Sequence, residues 1–222
     1  MIITIDGPSG VGKSTMTTLL SQKLGIVKLE SGALYRALAY KALSQGFQNT
    51  PQKICELLPT TKMSVEVKDH HMSVILDGSC VDAFLRDEKV GELASQVSQL
   101  KEVREFLLDV QRDMGKKFSL VAEGRDMGSV VFPKAEFKFF LDAHAQERAK
   151  RRYLELKEKG AKVELHTIDE SLQKRDQEDE ERELSPLIVP EGAHIIDTTN
   201  LSIDAVLEQI YKVVHEAFRP FS

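Results

Sequence analysis

The feature that most constrains the fold is a glycine-rich segment close to the start of the chain. It follows an apolar run, Ile2 to Asp6, that suits a buried strand, and apolar residues at helical spacing begin directly after it at Met16. The segment itself reads Gly7-Pro8-Ser9-Gly10-Val11-Gly12-Lys13-Ser14-Thr15. A strand, a glycine-rich turn and a helix in this order match G-x-x-x-x-G-K-[ST], the pattern of phosphate-binding loops.

Each residue type in this loop serves phosphate binding. Glycines let consecutive backbone N–H groups curl around phosphate oxygens without a Cβ clash, and the following helix adds the positive end of its dipole. Lys13 can reach the β- and γ-phosphates, and the Ser14 hydroxyl can ligate Mg²⁺. The loop from Gly7 to Thr15 therefore predicts a site for a nucleoside triphosphate with its magnesium ion.

Composition narrows the class of protein. The 222 residues are 41% hydrophobic and 29% charged, which is typical of a soluble globular domain. A net charge of −5 argues against a partner that is a nucleic-acid polymer. We expect no membrane association, because no apolar run approaches the ~18 residues that a bilayer needs and the chain does not open like a signal peptide. Cys55 and Cys80 lack metal-ligand spacing, and the presence of two thiols in a chain of this size favours a reducing cytoplasm.

Strand and helix patterns alternate along most of the chain, which predicts a parallel sheet with crossover helices. Between about residues 60 and 85 the pattern changes to period two, with turn signals at Asp69-His70-His71 and Asp77-Gly78, which predicts a small antiparallel insert. The five strands predicted for the parallel sheet are 2–6, 26–30, 118–123, 137–142 and 194–197.

Several helix ends carry their own signals. Thr50-Pro51 predicts an N-cap followed by proline at the first helical position. Thr167 and Glu170 have the spacing of a capping box, which predicts a helix from there to about Leu184. A charged helix is predicted from His144 to Lys159. The last helix is predicted to bury a stripe made of Ile203, Val206, Leu207, Ile210 and Val214.

Arginines and aspartates stand where a parallel sheet binds ligands, beyond the carboxyl ends of its strands. Arg125 and Asp126 follow the third predicted strand, and Arg36 opens the helix after the second. From position alone, Arg125 and Asp126 have two interpretations. They are either an ion pair that closes a turn, or a guanidinium that binds phosphate and is oriented by the neighbouring carboxylate. Arg36 is either an anion-binding residue or a solvated helix arginine.

Two helical stripes of charge have the same ambiguity. Arg148, Arg151 and Arg152 share a helix face and indicate either a solvated surface or a lid that closes over phosphate. Arg175, Asp179 and Arg182 recur at i, i+4 and i+7 in so charged a segment that a solvated helix is the default interpretation.

Taken together, these motifs resemble the bacterial cytidylate kinases, a family of nucleoside monophosphate kinases, over essentially the whole chain. The Gly124–Pro133 string is far more specific than the phosphate loop. The matching segments are Ile3-Thr4-Ile5-Asp6-Gly7-Pro8-Ser9-Gly10-x-Gly12-Lys13, Ser31-Gly32-Ala33-Leu34-Tyr35-Arg36, Ala94-Ser95-Gln96-Val97, Val103-Arg104-Glu105, Gly124-Arg125-Asp126-Met127-Gly128-Ser129-Val130-Val131-Phe132-Pro133 and Arg175-Asp176-x-x-Asp179-x-x-Arg182.

The resemblance implies an α/β P-loop NMP-kinase fold with parallel strand order 2-3-1-4-5. It further implies ATP-dependent phosphorylation of CMP and dCMP to CDP and dCDP with Mg²⁺, in pyrimidine nucleotide metabolism. We also expect a cytoplasmic monomer. We expect one kinase domain over residues 1–222, with its core at about 1–58 and 86–222. The insert at about 60–85 would belong to the monophosphate side, and residues of about 145–165 would form the short lid.

The resemblance also implies roles for individual residues. Arg36 and Arg125 would hold the CMP phosphate with support from Asp126, and Arg175 and Asp179 would hold the sugar. The cytosine would be surrounded by Ser31, Ser95, Arg104 and Arg182. The residues expected to act on the transferring phosphoryl group are Lys13, Arg125, Asp126, Arg151 and Arg152, with Arg148 beside them on the lid.

This chain departs from the family pattern at two positions, because Glu30 and Glu123 stand where the family usually has aspartate. Two alternative functions also stay open. One is a small P-loop kinase for another acceptor, such as UMP or shikimate. The other is a nucleotide-binding switch, which would use the loop without an acceptor, although the paired arginine stripes favour a second phosphorylated ligand.

Overall fold

The computed structural model of the chain describes residues 1–47, 50–158 and 160–217. The strands are β1 (Ile2–Asp6), β2 (Val27–Glu30), β3 (Met63–Lys68), β4 (His71–Leu76), β5 (Ser79–Cys80), β6 (Leu120–Gly124), β7 (Phe137–Asp142) and β8 (His194–Asp197). The α-helices are α1 (Lys13–Leu24), α2 (Ser31–Ser44), α3 (Ile54–Leu57), α4 (Glu88–Val97), α5 (Lys101–Lys117), α6 (Ala145–Glu158), α7 (Leu165–Glu181) and α8 (Ile203–Ala217).

Five strands form one parallel sheet flanked by helices, in the order β2-β6-β1-β7-β8. Numbered along the chain, this is the predicted order 2-3-1-4-5. The central strand β1 pairs in parallel with β7, with Ile3 opposite Phe137 and Asp6 opposite Phe140. β7 pairs in parallel with β8, which places Asp142 opposite Asp197. The predicted fold class is therefore confirmed.

The strands are apolar because helices cover both faces of such a sheet. Ile3 and Ile5 of β1 and Phe139 and Leu141 of β7 are completely inaccessible to solvent. All five residues of β6 are buried. Continuous apolar runs of this kind are what the sequence shows at each of these positions, which explains why the strands could be located from it.

Residue contacts divide the chain into two compact units. The first unit comprises Met1 and residues 25–122, and the second comprises residues 2–24 and 123–222. In the part of the chain that the structure describes, neither unit contains a helix that is both long and apolar enough to cross a lipid bilayer.

The first unit contains the predicted antiparallel insert, a three-stranded sheet in the order β3-β4-β5. The turn between β3 and β4 holds Asp69 and His70 at positive φ, and Asp77 and Gly78 do the same between β4 and β5. Lys41 of α2 secures the insert, since its ammonium lies 2.8 Å from Asp77 Oδ2 and donates to Thr61 Oγ1 at 2.7 Å. The insert is thus anchored to α2 by these two polar contacts.

The second unit packs α1 against α8 and α6 against α7. Ala149 of α6 forms a small apolar cluster with Ile168 and Leu172 of α7. Val206, Ile210 and Val214 of α8 are buried as predicted. Ile203 was predicted to join them, but it is 55% exposed because it stands at the first position of the helix.

The predictions for three helix ends have different outcomes. The capping box at Thr167 and Glu170 was wrong, because α7 begins two residues earlier at Leu165 and ends at Glu181. Thr50 stands at the N-cap position with Pro51 next, as predicted, although its side chain makes no capping hydrogen bond to the 3₁₀ turn that follows. The predicted end of the charged helix, Lys159, lies outside the described residues, and α6 is described to Glu158.

Candidate active site

The phosphate loop lies between β1 and α1, as the sequence predicts, and it requires glycine at two close approaches. Gly7 has φ +145°, and a Cβ there would meet the Leu141 carbonyl oxygen at 2.1 Å. Gly10 has φ +78°, and its Cβ would lie 3.2 Å from the Cβ of Arg148. Both positions combine a backbone that favours glycine with a close neighbour, which leaves no room for a Cβ at Gly7 and only a tight contact for one at Gly10.

Lys13 is buried in the first turn of α1 and contacts its own loop. Its ammonium donates to the carbonyl oxygens of Gly7 at 2.8 Å and Pro8 at 2.5 Å. Burial and, to a smaller extent, the nearby positive charge of Arg125 lower the pKa of Lys13 to about 7 against the opposing effect of Glu123. The charges of Glu123, Asp176 and Asp179 thus do not offset burial, and a polyphosphate would supply the further negative charge that favours the protonated form of Lys13.

Ser14 and Thr15 are exposed at the same helix end. Their position in the first turn of α1 suits binding of an anion to the helix N-terminus. The Ser14 hydroxyl is an oxygen donor of the kind that Mg²⁺ accepts beside phosphate oxygens and water. The residues present therefore fit the predicted magnesium–nucleotide group.

Asp6, the last residue of β1, holds the turn that follows β6. Its carboxylate is fully buried and accepts hydrogen bonds from the backbone N–H groups of Met127 at 2.8 Å and Gly128 at 2.7 Å. Burial raises the pKa of Asp6 to about 6, although these two N–H groups oppose the rise. Nearby Asp126 contributes a smaller increase in the pKa. The turn that carries Arg125 and Asp126 is thus hydrogen-bonded to β1, the strand that precedes the phosphate loop.

Arg125 reaches across to helix α7. Its Nε donates to Asp179 Oδ2 at 2.7 Å, and its Nη2 donates to Ser9 Oγ at 2.8 Å. The other carboxylate oxygen of Asp179 accepts from Arg182 Nη1 at 3.2 Å. Arg182 lies just beyond α7 and also donates from Nε to the Ser185 carbonyl oxygen. The default interpretation of this stripe as a solvated helix surface is therefore wrong for Asp179 and Arg182.

Arg175 and Asp126 complete this group in the second unit. Arg175 lies one turn before Asp179 on α7 and is partly buried. Asp126 is buried, and its backbone carbonyl accepts from the N–H groups of Val130 and Val131. The structure thus places all five second-unit residues of the predicted CMP set in the β6 turn and at α7, with direct contacts among Arg125, Asp179 and Arg182.

Arg148 and Asp176 form a buried ion pair that the sequence analysis did not identify. Arg148 Nη1 bonds to Asp176 Oδ2, and the two residues are 9% and 6% exposed. Arg148 also donates to the Ala143 carbonyl at 3.0 Å and to the Ser9 carbonyl at 3.1 Å. Arg148 is therefore part of the protein interior, although its spacing grouped it with two lid arginines.

The other two lid arginines have different surroundings. Arg151 donates to the hydroxyl of Thr198 at 3.0 Å, to its carbonyl oxygen at 2.5 Å and to the Thr199 carbonyl oxygen at 3.3 Å. Arg152 is 41% exposed at its side chain and pairs with Glu155 of the same helix at 2.7 Å. Arg151 thus holds the segment after β8, whereas Arg152 presents its charge to solvent.

The remaining predicted CMP residues belong to the first unit. Ser31 is buried at the start of α2 and Arg36 is half-buried one turn later. Ser95 lies on α4, which packs against α2. Arg104 of α5 is 8% exposed, donates to the Ser98 carbonyl at 3.0 Å and lies 5.6 Å from the ring centre of Tyr35. Its cation is therefore held over an aromatic face within this unit.

Glu30 and Glu123, the two departures from the family pattern, differ in their environments. Glu30 is partly exposed and lies 3.5 Å from the ammonium of Lys28. Glu123 is 6% exposed at the end of β6, and its charge raises the pKa of Lys13. Glu123 is therefore close enough to the phosphate loop to influence its lysine.

Comparison with known proteins identifies the family. A family model described as cytidylate kinase matches residues 3–216. The chain belongs to the cytidylate kinase family. The match includes every residue of the candidate active site described above.

Individual proteins similar to this chain are also named as cytidylate kinases. The chain is 45% identical over 217 residues to a cytidylate kinase from Caldicellulosiruptor saccharolyticus, covering 96% of each protein. It is 44% identical over 214 residues to a cytidylate kinase from Pseudomonas aeruginosa, covering 95% of this chain and 93% of the relative.

Among solved structures, the chain is similar to an uncharacterised protein from Eubacterium ventriosum. The TM-score is 0.53 at 11% sequence identity, over 97% of this chain and 98% of the other. At that identity the likeness concerns the fold alone.

Proposed function

We propose that this protein transfers the γ-phosphoryl group of ATP to the phosphate of CMP or dCMP and releases CDP or dCDP. The observation that carries the proposal is membership of the cytidylate kinase family over residues 3–216. The named relatives at 44–45% identity support the same reaction. The phosphate loop with Lys13 accounts for the donor, and the cluster around Arg125 accounts for a second phosphorylated substrate.

On the donor side, the loop from Gly7 to Thr15 holds the phosphates through the backbone N–H groups that follow Ser9, and Lys13 neutralises charge that develops during transfer. Ser14 would hold Mg²⁺, which supplies further neutralisation when it is bound. Lys13 must exchange its bonds to the Gly7 and Pro8 carbonyls for bonds to phosphate. These carbonyl bonds keep the ammonium satisfied until nucleotide arrives.

On the acceptor side, Arg125 binds the CMP phosphate and Asp126 supports it, together with Arg36. Arg175 and Asp179 bind the sugar, while Arg182, Arg104, Ser31 and Ser95 select the base. The polar contacts that already fix Arg125, Arg182 and Arg104 support these assignments, because preset donors lose little freedom on binding. A base with the wrong donors and acceptors leaves buried polar groups unmatched, which favours cytosine over uracil.

Residues of about 145–165 act as a lid in this proposal, and the insert at about 60–85 serves the monophosphate side of a single kinase domain. Arg151 and Arg152 supply positive charge to the transferring group. The solvent-exposed side chain of Arg152 supports a role that depends on closure, since an exposed guanidinium on α6 can turn toward an incoming phosphate. We further propose that the enzyme works as a cytoplasmic monomer.

An acceptor panel tests the proposal directly. The purified protein is assayed with ATP and Mg²⁺ against CMP, dCMP, UMP, AMP, GMP and shikimate, with ADP release measured by a coupled assay. CMP and dCMP are expected among the best acceptors. A preference for UMP or shikimate would refute the acceptor assignment. ATP hydrolysis that no acceptor stimulates would instead favour a nucleotide-binding switch.

A further inference from the structure

Ser9 is the point where three separate elements of the second unit meet the phosphate loop. Its N–H donates to Asp176 Oδ1 at 2.8 Å, and its carbonyl oxygen accepts from Arg148 Nη1 at 3.1 Å. Its hydroxyl oxygen accepts from Arg125 Nη2 at 2.8 Å. Every polar group of this one residue is therefore engaged by a charged side chain from α6, from α7 or from the turn after β6.

The backbone of Ser9 is held by the buried pair Arg148–Asp176. Asp176 bonds to Ser9 with one carboxylate oxygen and to Arg148 with the other. Arg148 is anchored in turn by the Ala143 carbonyl. Since breaking a buried ion pair is costly, the Ser9 backbone cannot shift without a large penalty. The hydroxyl is therefore fixed in space to within the rotation of one side-chain bond.

The fixed hydroxyl determines the orientation of the Arg125 guanidinium. This planar group is held at Nη2 by Ser9 and at Nε by Asp179, and its Nη1 lies 3.4 Å from the Gly124 carbonyl. A guanidinium has five N–H groups, and these contacts with described residues use three. One N–H on each terminal nitrogen is left, and this spacing suits two phosphate oxygens.

We propose that Ser9 is a positioning residue for the phosphate acceptor: its hydroxyl sets the Arg125 guanidinium for the CMP phosphate, although Ser9 belongs to the ATP loop. This inference rests on the proposed function, because it assigns Ser9 to the acceptor half of the same reaction. It differs from the expected role of the loop, which concerns the donor alone. The Arg148–Asp176 pair acts through Ser9 by fixing the backbone that carries the hydroxyl.

Replacement of the hydroxyl tests the proposal. In Ser9→Ala, kcat/KM for CMP is expected to fall about tenfold or more, since a hydrogen bond to a charged group is lost. KM for ATP should stay within about twofold, because the backbone N–H groups that hold the donor phosphates are unchanged. Ser9→Thr keeps a hydroxyl and should restore most of the kcat/KM for CMP.

A matched control is Ser171→Ala, which removes an exposed hydroxyl from α7 and should leave both substrates unaffected. Thermal melting shows whether each variant is folded. If Ser9→Ala loses its fold, Ser9→Cys tests the same contact, because sulfur has nearly the same shape and is a weak acceptor.

A double-mutant cycle with Arg125→Lys identifies the path of the effect. Lysine cannot make the two-point contact with Ser9 and Asp179, so adding Ser9→Ala to Arg125→Lys should cost less than about twofold. Full additivity, or a Ser9→Ala loss that falls on KM for ATP, would overturn the proposal. The wild-type acceptor panel separates the two ideas: a wild type active on CMP with an unaffected Ser9→Ala variant refutes only the role of Ser9.

Discussion

Arg125 and Asp179 are 54 residues apart in sequence, yet Arg125 Nε donates to Asp179 Oδ2 at 2.7 Å. The contact joins the turn after β6 to helix α7, and both side chains are about one-fifth exposed. Because Arg182 bonds to the second carboxylate oxygen, Asp179 connects two of the arginines that we assign to CMP. Its charge therefore has consequences for acceptor binding.

Asp179→Asn is expected to raise KM for CMP about tenfold or more, because a neutral amide holds Arg125 and Arg182 less firmly and binds the sugar less well. Steady-state kinetics at saturating ATP measure the change. Glu178→Gln is the matched control, since it removes the neighbouring carboxylate from the same helix and should alter KM for CMP less than about twofold. A rise in KM for ATP alone would place Asp179 on the donor.

Because the pKa of Lys13 is lowered, we expect the protein to take up a proton when it binds nucleotide. With a pKa of about 7 the free side chain is mostly neutral at pH 8, and phosphate oxygens favour its charged form. Calorimetry of ATP binding at pH 8 in buffers of different ionisation enthalpy should show uptake of close to one proton. Lys13→Gln should abolish the uptake, and Lys13→Ala should abolish turnover while CMP still binds. Uptake that persists in Lys13→Gln would assign the proton to another group.

Because the pKa of Asp6 is raised, we expect the free energy of unfolding to depend on pH through this group. Its folded pKa of about 6 exceeds the ordinary value of 3.8, so the folded protein binds more protons between these values. The stability contributed by this group is complete below pH ~4 and is lost as pH rises through 6. The difference amounts to about 3 kcal/mol.

Urea unfolding at several pH values, for the wild type and Asp6→Asn, measures this contribution. The free energy of unfolding of the wild type should fall relative to the variant between pH 4 and pH 7. Parallel pH profiles would show that Asp6 titrates normally. Asp6→Asn also presents an amide donor to the N–H groups of Met127 and Gly128, so we expect it to be less stable than the wild type at pH 4.

Replacing Arg152 should mainly lower activity, whereas replacing Arg151 should also lower the stability of the fold. Arg152→Ala removes an exposed charge with one local partner, so the free energy of unfolding should change by less than about 1 kcal/mol. Its kcat is expected to fall much more than its affinity for CMP. Arg151→Ala should lower the free energy of unfolding by about 2 kcal/mol, because it removes the bonds to Thr198 and Thr199. An Arg152 variant with a matching loss of CMP affinity would place that residue on the acceptor.

Local patterns were sufficient for most elements of this fold. The hairpin between β3 and β4 could be predicted because period-two alternation flanks Asp69 and His70, and both residues adopt the positive φ that a tight turn requires. The phosphate loop was equally clear, since its glycines and Lys13 act within nine consecutive residues. The start of α7 was missed because the Thr167–Glu170 spacing is local information, whereas packing of Ile168 and Leu172 on α6 acts on the whole helix.

Local sequence patterns did not reveal which charged residues of the site are buried. The spacing of Arg148, Arg151 and Arg152 predicts a shared helix face, but it cannot show that Arg148 is buried against Asp176 while Arg152 remains exposed. Asp176 lies in the motif from Arg175 to Arg182, but the sequence assigned it no role because its partner Arg148 lies 28 residues away on another helix. Asp6 precedes the phosphate loop directly, and that position was the available signal for its role.

The sequence by itself determined the five parallel strands, the insert, the phosphate loop and, through whole-chain motifs, the family with the strand order that it implies. These follow from hydrophobic periodicity, turn chemistry and short strings whose chemistry is local. Only the tertiary structure decided which charged residues pair, namely Arg125 with Asp179 and Ser9, and Arg148 with Asp176. The physical reason is that an ion pair depends on distance and burial, which distant segments acquire only when the sheet and helices bring them together.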